Sequence, residues 1–468
     1  MAFPHGLALI LALQGTPSQD AWYRLELQGK PYGWQRVSIQ KTTLMEGTGY
    51  LASVSGHCQC VLDGIRVEME YEFEGLVDEE LKAIKHTSCL KRGQEVREIQ
   101  GTKEGTEYLV ESVVNGSPCR VTFPAEEFLS FDPFLLMALK RSRRQGTPFR
   151  GFQAFHDELG LLVSYDIEML RDPPIGFKAD CLLSELGKLP LRLRGERARL
   201  PRKIFFPSMG LRFLRASESK AKKIQGSLFE ISSLLPLERK ESQRALEGVV
   251  TFIVTRKTGD LSNLFLETSY QSLRWPRKKQ RNLIELTVSP PELPPNGTGS
   301  DLENYLEPGP YIQSQDPDIA QAALEHGGEG IDSEVVVRLV QWVYHEIRTA
   351  GVEGSTRSAK DTLQERQGDC TECACLLAAL CRSRNIPCRV CSGLKVLGDV
   401  CGLHAWNEVS LGGKWIPVDA AWNLAPIGPT YLLMARERPR DPFLSVLTLI
   451  GYQLLGDVTV EVFGDESI

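Results

Sequence analysis

At 468 residues the chain is long enough for two to four domains, each with its own core. Its 54 basic residues stand against 60 acidic ones, a formal net charge of −6, which excludes a globally basic nucleic-acid binder. No apolar run of roughly 18 residues occurs, which excludes an ordinary membrane-spanning helix.

Leu7–Leu13 is a short apolar stretch followed by Gln-Gly-Thr-Pro-Ser, like the hydrophobic region of a compact signal peptide over residues 1–19. No Lys or Arg precedes it and no Ala-x-Ala site follows. The expectation is export to a periplasmic or extracellular space; the alternative is a cytoplasmic protein whose apolar start packs on the first domain. Twelve cysteines bear on the same question. Cys370, Cys373, Cys375, Cys381, Cys388, Cys391 and Cys401 cluster at apolar positions, which suits buried thiols better than a disulfide framework.

Residues 20–145 alternate in strand fashion, with strands expected at Trp22–Leu27, Trp34–Gln40, Gly56–Asp63, Val67–Leu76, Leu81–His86, Val96–Gln100, Tyr108–Val114 and Cys119–Phe123. Such spacing predicts a sandwich, half-barrel or curved antiparallel sheet. A helix is expected over Glu126–Arg144. Residues 146–288 read as a second β-rich region, with strands at Leu161–Leu170, Lys178–Leu183, Val249–Val254, Leu264–Tyr270 and Leu283–Val288. Basic runs at 140–144, 192–203 and 274–281 lack interleaved aromatics and read as solvated faces.

The Pro- and Gly-rich stretch 289–300 can continue neither strand nor helix, and is read as a linker before a core domain over 301–468. Within that domain Asp318–His326 is expected to be helical. Asp332-Ser333-Glu334 begins a second helix with Val335, Val336, Leu339, Val340, Val343 and Ile347 along one apolar stripe. Strands follow at Thr430–Met434, Leu447–Leu455 and Val458–Phe463.

The chemistry concentrates in residues 361–422. Cys370 follows Gly368-Asp369 and opens an apolar run at helical spacing, which places it at a helix N-terminus, where the dipole favours a thiolate. His404-Ala-Trp406-Asn-Glu408-Val409 reads as a strand, and Gly412-Gly413 as the two-residue turn of a hairpin returning through Lys414–Asp419. With that turn Trp406 faces Asp419, and His404 shares its face on the diagonal, about 7–8 Å away at the backbone. Asp419 can then hold the imidazole tautomer that a Cys–His pair needs. A three-residue turn would put the two on opposite faces. Cys370, Cys373 and Cys375 have no compact second ligand pair, so no metal and no cofactor is expected. No acidic loop of the EF-hand type occurs either.

These elements in order, Gly-Asp-Cys370-x-Glu372, an apolar helix, Asn385-Ile-Pro-x-Arg-Val390, His404-Ala-Trp-x-Glu-Val409 and Gly413-x-Trp415-x-x-x-Asp419, resemble the transglutaminase-like core superfamily over about residues 300–468. Asn385 departs from the usual Gly and Cys388 from the usual small residue. The resemblance implies a papain-like α+β core behind a β-rich N-terminal region, and acyl-enzyme chemistry on protein or peptide amides. In it Cys370 would be nucleophile, His404 general base and Asp419 the orienting acid. Gln364 and Trp342 are the expected oxyanion donors beside the Cys370 N–H, and Trp406, Trp415 and Trp422 the expected cleft walls. The other reading is a binding or scaffold protein whose core is a relic. Substrate identity, hydrolysis or transfer, and oligomeric state leave no mark in the sequence.

Overall fold

Strict alternation of apolar and polar residues gives residues 19–124 long antiparallel strands. In the computed structural model these are β1 (Gln19–Leu27), β2 (Lys30–Leu44), β3 (Gly47–Leu62), β4 (Ile65–Asp78), β5 (Ala83–Arg92), β6 (Glu95–Glu104), β7 (Glu107–Val114) and β8 (Ser117–Pro124). The structure describes residues 19–349, 357–438 and 458–463, except 46, 63–64, 94, 126–129, 132–148, 157–160, 173–175, 184–188, 197–199, 207–209, 225–229, 232–233, 239–245, 257–260, 262–263, 277–280 and 294–301. The apolar stretch at 7–13, most of the helix expected at 126–144, the basic run at 140–144, the second half of the linker and the strand expected at 447–455 lie outside them.

Each of these strands pairs with the next, so Val37, Val54 and Phe73 line up across three strands on a buried face. The sheet continues through β9 (Ser130–Phe131), β10 (Phe149–His156), β11 (Leu161–Asp172), β12 (Gly176–Leu183), β13 (Leu189–Glu196), β14 (Lys203–Phe206) and β15 (Leu211–Ala216). β15 pairs with β1 and joins the two halves, while β16 (Glu230–Ile231) pairs with β3. Phe155 of β10 lies 5.1 Å from His86 of β5 and 5.7 Å from Phe123 of β8, although β8 and β10 stand near opposite ends of the strand order. The sheet therefore curls around an aromatic interior. The helix expected at 126–144 is displaced at Ser130–Phe131, which pair with β10 because Phe131 is drawn fully into that interior. His86 is a neutral core histidine. Burial pulls its imidazole down to about 3, and its Nδ1 meets the Tyr108 hydroxyl at 2.8 Å.

By its internal contacts the chain divides after Ile231, not at the expected 289–300 linker. The second unit contains β17 (Leu234–Glu238), β18 (Val250–Arg256), β19 (Gln271–Arg274), β20 (Leu283–Val288), α1 (Pro317–Gly327), α2 (Asp332–Glu346), β21 (Arg348–Thr349), α3 (Ala359–Glu365), β22 (Gln367–Gly368), α4 (Cys370–Ser383), β23 (Cys388–Leu397), β24 (Val400–Leu411), β25 (Lys414–Val418), β26 (Tyr431–Arg436) and β27 (Val458–Phe463). The grouping of 146–288 as one β-rich region is thus corrected. β18 pairs with β27, setting Ile253 opposite Glu461, and β17 pairs with both β27 and β24. Periodicity identified β18 and β27 without naming their partners, and did not mark β17. Leu264–Tyr270, expected as a strand, is irregular chain that ends by sending the Tyr270 hydroxyl to Glu408.

The strand order in this unit is β19-β20-β18-β27-β17-β24-β23-β26, with β25 on the other half of the β24 edge. α4 packs on β24, and α1, α2 and α3 pack on α4. α1 starts with Asp316 accepting the Asp318 N–H and Pro317 in its first turn. On α2 the expected stripe Val335, Val336, Leu339, Val340 and Val343 is buried. No helix among the described residues is long and apolar enough to cross a membrane.

Candidate active site

Asp369 fixes the start of α4. Its carboxylate accepts the N–H groups of Thr371 and Glu372, and Glu372 reaches back to the Asp369 N–H at 2.8 Å, a complete capping box. Cys370 is the first residue of the helix, half-buried, while the rest of α4 is buried almost throughout.

The facing strand is β24. β17 covers its edge at Val400–Gly402 and β25 covers it at Asn407–Leu411. The notch between them leaves the backbone of Leu403–Trp406 open, and the Ala405 N–H turns there to the Cys370 sulfur. Below, the Asn407 side chain donates to the Ala374 carbonyl at 2.9 Å, which locks α4 onto the strand carrying His404.

The hairpin has the expected register. Gly412 and Gly413 both take positive φ, +59° and +73°, as a tight hairpin turn demands, and Asn407 stands opposite Val418. His404 and Asp419 consequently meet, with Nε2 2.7 Å from Oδ2. An ionised carboxylate only accepts, so Nε2 carries the proton and Nδ1 is the ring nitrogen left to take one. Oδ2 also accepts the Tyr431 hydroxyl at 2.5 Å, and Oδ1 accepts the Ala421 N–H at 2.9 Å. Asp419 is 1% exposed.

The thiol itself departs from expectation. Burial pushes the Cys370 pKa well above its ordinary value and the Asp369 carboxylate adds to this, against which the Ala405 N–H pulls down. The helix N-terminus does not reverse the shift, because Asp369 takes two of its free N–H groups and places a negative charge beside the sulfur. These influences favour the thiol over the thiolate, so the site calls for a base to take the proton.

Trp406, expected as a cleft wall, is fully buried and forms the floor instead. The His404 ring stacks on it at 6.3 Å, and Tyr431 meets it edge-on at 5.3 Å. A side chain opposite would have no room: a Cβ on Gly393 would stand 2.0 Å from the Leu432 carbonyl oxygen and 2.8 Å from the Trp406 ring. Gly393→Ala is therefore expected to destabilise the core by about 3 kcal/mol and to displace His404, readable as a lowered unfolding midpoint. Trp415 lies four residues along β25 from Asp419, against Tyr305 and 3.8 Å under the Arg389 guanidinium. Trp422, half exposed, covers the Lys395 ammonium.

Trp342 is stacked on His326 at 4.3 Å, with Arg366 5.0 Å from its ring, and Gln364 is exposed on α3. Four residues were missed: Asn407, Tyr431, Lys395 and Gly393. Asn407 lay inside the motif, and its polarity beside buried neighbours was a usable signal; the others sit on β23 and β26, whose pairing no local pattern gives. The cysteines expected to be buried thiols, Cys373, Cys375, Cys381, Cys388, Cys391 and Cys401, are buried. Among the described residues no group of three metal-ligating side chains converges.

Residues 320–420 match the model of the transglutaminase-like superfamily, and the chain carries a transglutaminase-like core. Among solved structures it is similar to a "putative cysteine protease" from Cytophaga hutchinsonii at 21% identity, covering 50% of this chain and 83% of that one with a TM-score of 0.29. It is also similar to a beta-barrel-like protein of a domain of unknown function from Brucella abortus at 9% identity, covering 44% of this chain and 97% of that one with a TM-score of 0.32. No curated protein matches the chain.

Proposed function

We propose that the protein is a cysteine enzyme of papain-like type acting on protein or peptide amides through a thioester. The observation that carries this is the His404–Asp419 contact at 2.7 Å, with the neighbouring Ala405 N–H on the Cys370 sulfur. His404 Nδ1 takes the thiol proton as Cys370 attacks the amide carbon, and the resulting imidazolium returns that proton to the leaving amine. Asp419 holds the ring and balances its transient charge. The Cys370 N–H at the start of α4 is the donor nearest the developing oxyanion. Water or a second amine then releases the acyl group.

The raised Cys370 pKa favours one other reading, a binding protein that has kept the site as a scaffold. Alkylation of Cys370 by iodoacetamide, mapped by peptide mass, separates the two. An enzyme needs His404 to generate the thiolate, so His404→Ala should slow labelling by at least about 10²-fold at neutral pH. Equal rates in the two proteins would reject the enzyme reading.

A further inference from the structure

Behind Asp419 runs a second chain of contacts that amide chemistry does not itself require. The Tyr431 hydroxyl donates to Asp419 Oδ2, and the Lys395 ammonium donates to the Tyr431 oxygen. Lys395 and Tyr431 stand opposite each other on β23 and β26, so sheet register holds the pair in place. Lys395 is 4% exposed, its Nζ 3.7 Å from the Tyr431 ring and 4.5 Å from that of Trp422. A lysine this deep, with no carboxylate in direct contact among its described partners, is costly to retain for packing alone.

We propose that Lys395 is a positioning residue, which through Tyr431 directs a hydroxyl proton onto Asp419 and so sets the hold of Asp419 on His404. The inference rests on the reading of His404 as the base. Its logic is donor and acceptor counting. An ammonium has three donors and no acceptor, so while Lys395 is charged the Tyr431 proton can point only to Asp419. When Lys395 gives a proton to solvent, its nitrogen gains a lone pair. The Tyr431 O–H can then turn to the amine, and Asp419 loses one of its three hydrogen bonds. No covalent bond to Tyr431 breaks, and its own pKa is raised by burial and by the Asp419 charge.

The surroundings make that switch reachable. Burial pulls Lys395 down to about 8, and the Asp419 charge is the opposing influence. Gly402 faces Lys395 from β24, Tyr431 from β26 and Trp422 from the turn after Asp419; His404, two residues along β24 from Gly402, shares that face, so Asp419, Tyr431 and His404 are the titratable groups on it. Cys401, next to Gly402, pairs with Val396 and points to the other face of the sheet.

The test follows the His404 Nε2 proton by NMR in the full chain labelled with ¹⁵N-histidine, the resonance being assigned by its loss in His404→Ala. In the parent this resonance should shift with a midpoint near pH 8. In Lys395→Arg, whose guanidinium stays charged, the shift should vanish over pH 7–9.5; in Tyr431→Phe it should vanish although Lys395 still titrates. On a peptide amide substrate, kcat/KM should fall about tenfold above that midpoint in the parent, the worth of one hydrogen bond to a charged group, and not in Lys395→Arg. Tyr431→Phe should lose about tenfold at every pH, and adding Lys395→Met to it should cost nothing further. An unchanged pH dependence of the resonance in Lys395→Arg, or losses that multiply in the double variant, would overturn the proposal. A protein that shows the coupled resonance but no turnover would instead reject the enzyme reading and leave the coupling standing.

Discussion

Cys370→Ala is expected to remove amide turnover by on the order of 10⁴-fold or more while leaving the core folded. The argument for intact folding is local. Residue 370 opens α4, where Ala is the best helix former, and the helix start is secured by the Asp369–Glu372 box and not by the thiol. Only the weak bond from the Ala405 N–H is lost. Unfolding midpoints should agree to within about 1 kcal/mol. Activity above the level of contamination in the purified variant would remove Cys370 from the mechanism, whatever its neighbours do.

Glu408→Gln should carry the largest cost to stability. Glu408 is fully buried on β24, and its carboxylate accepts from Arg389 at 2.7 Å, from Arg436 at 2.8 Å and from the Tyr270 hydroxyl at 2.7 Å. Neutralising it strands two guanidinium groups near the core, at about 3–5 kcal/mol. The pH dependence has a definite sign. Burial alone would raise the Glu408 carboxyl, but Arg436 and Arg389 outweigh it and hold the pKa below the ordinary value. Its contribution is therefore complete above the unfolded carboxyl pKa of about 4.3, and is lost as pH falls through the lower folded value. Denaturant unfolding followed by tryptophan emission should show a wide gap between parent and variant at pH 7. That gap should close in acid below pH 4, and a gap independent of pH would contradict the assignment.

What the sequence disclosed was whatever local geometry encodes. Gly412-Gly413 specifies a tight turn, the turn specifies register, and register alone brings His404 to Asp419. Asp369 and Glu372 likewise announce the start of α4. The limits are equally physical. Alternation at Val250–Arg256 says strand but cannot say that its partner is Val458–Phe463, so the unit boundary at 231 was hidden behind a more conspicuous proline-rich stretch. The motif alone places Trp406 at a cleft wall without saying which way its ring turns. It became the floor because Gly393 leaves room for its ring. Dipole reasoning at Cys370 leaves out one contribution: a cap that satisfies the helix also brings its own charge.

The position of β27 has a consequence for biosynthesis. It lies between β18 and β17, and β17 in turn borders the strand that carries His404. A ribosome that has delivered residues 250–436 has emitted every side chain of the Cys–His–Asp arrangement, yet the sheet supporting them still has an open slot. The sheet beside the site is therefore completed only when residues 458–463 have emerged to fill the place between β18 and β17.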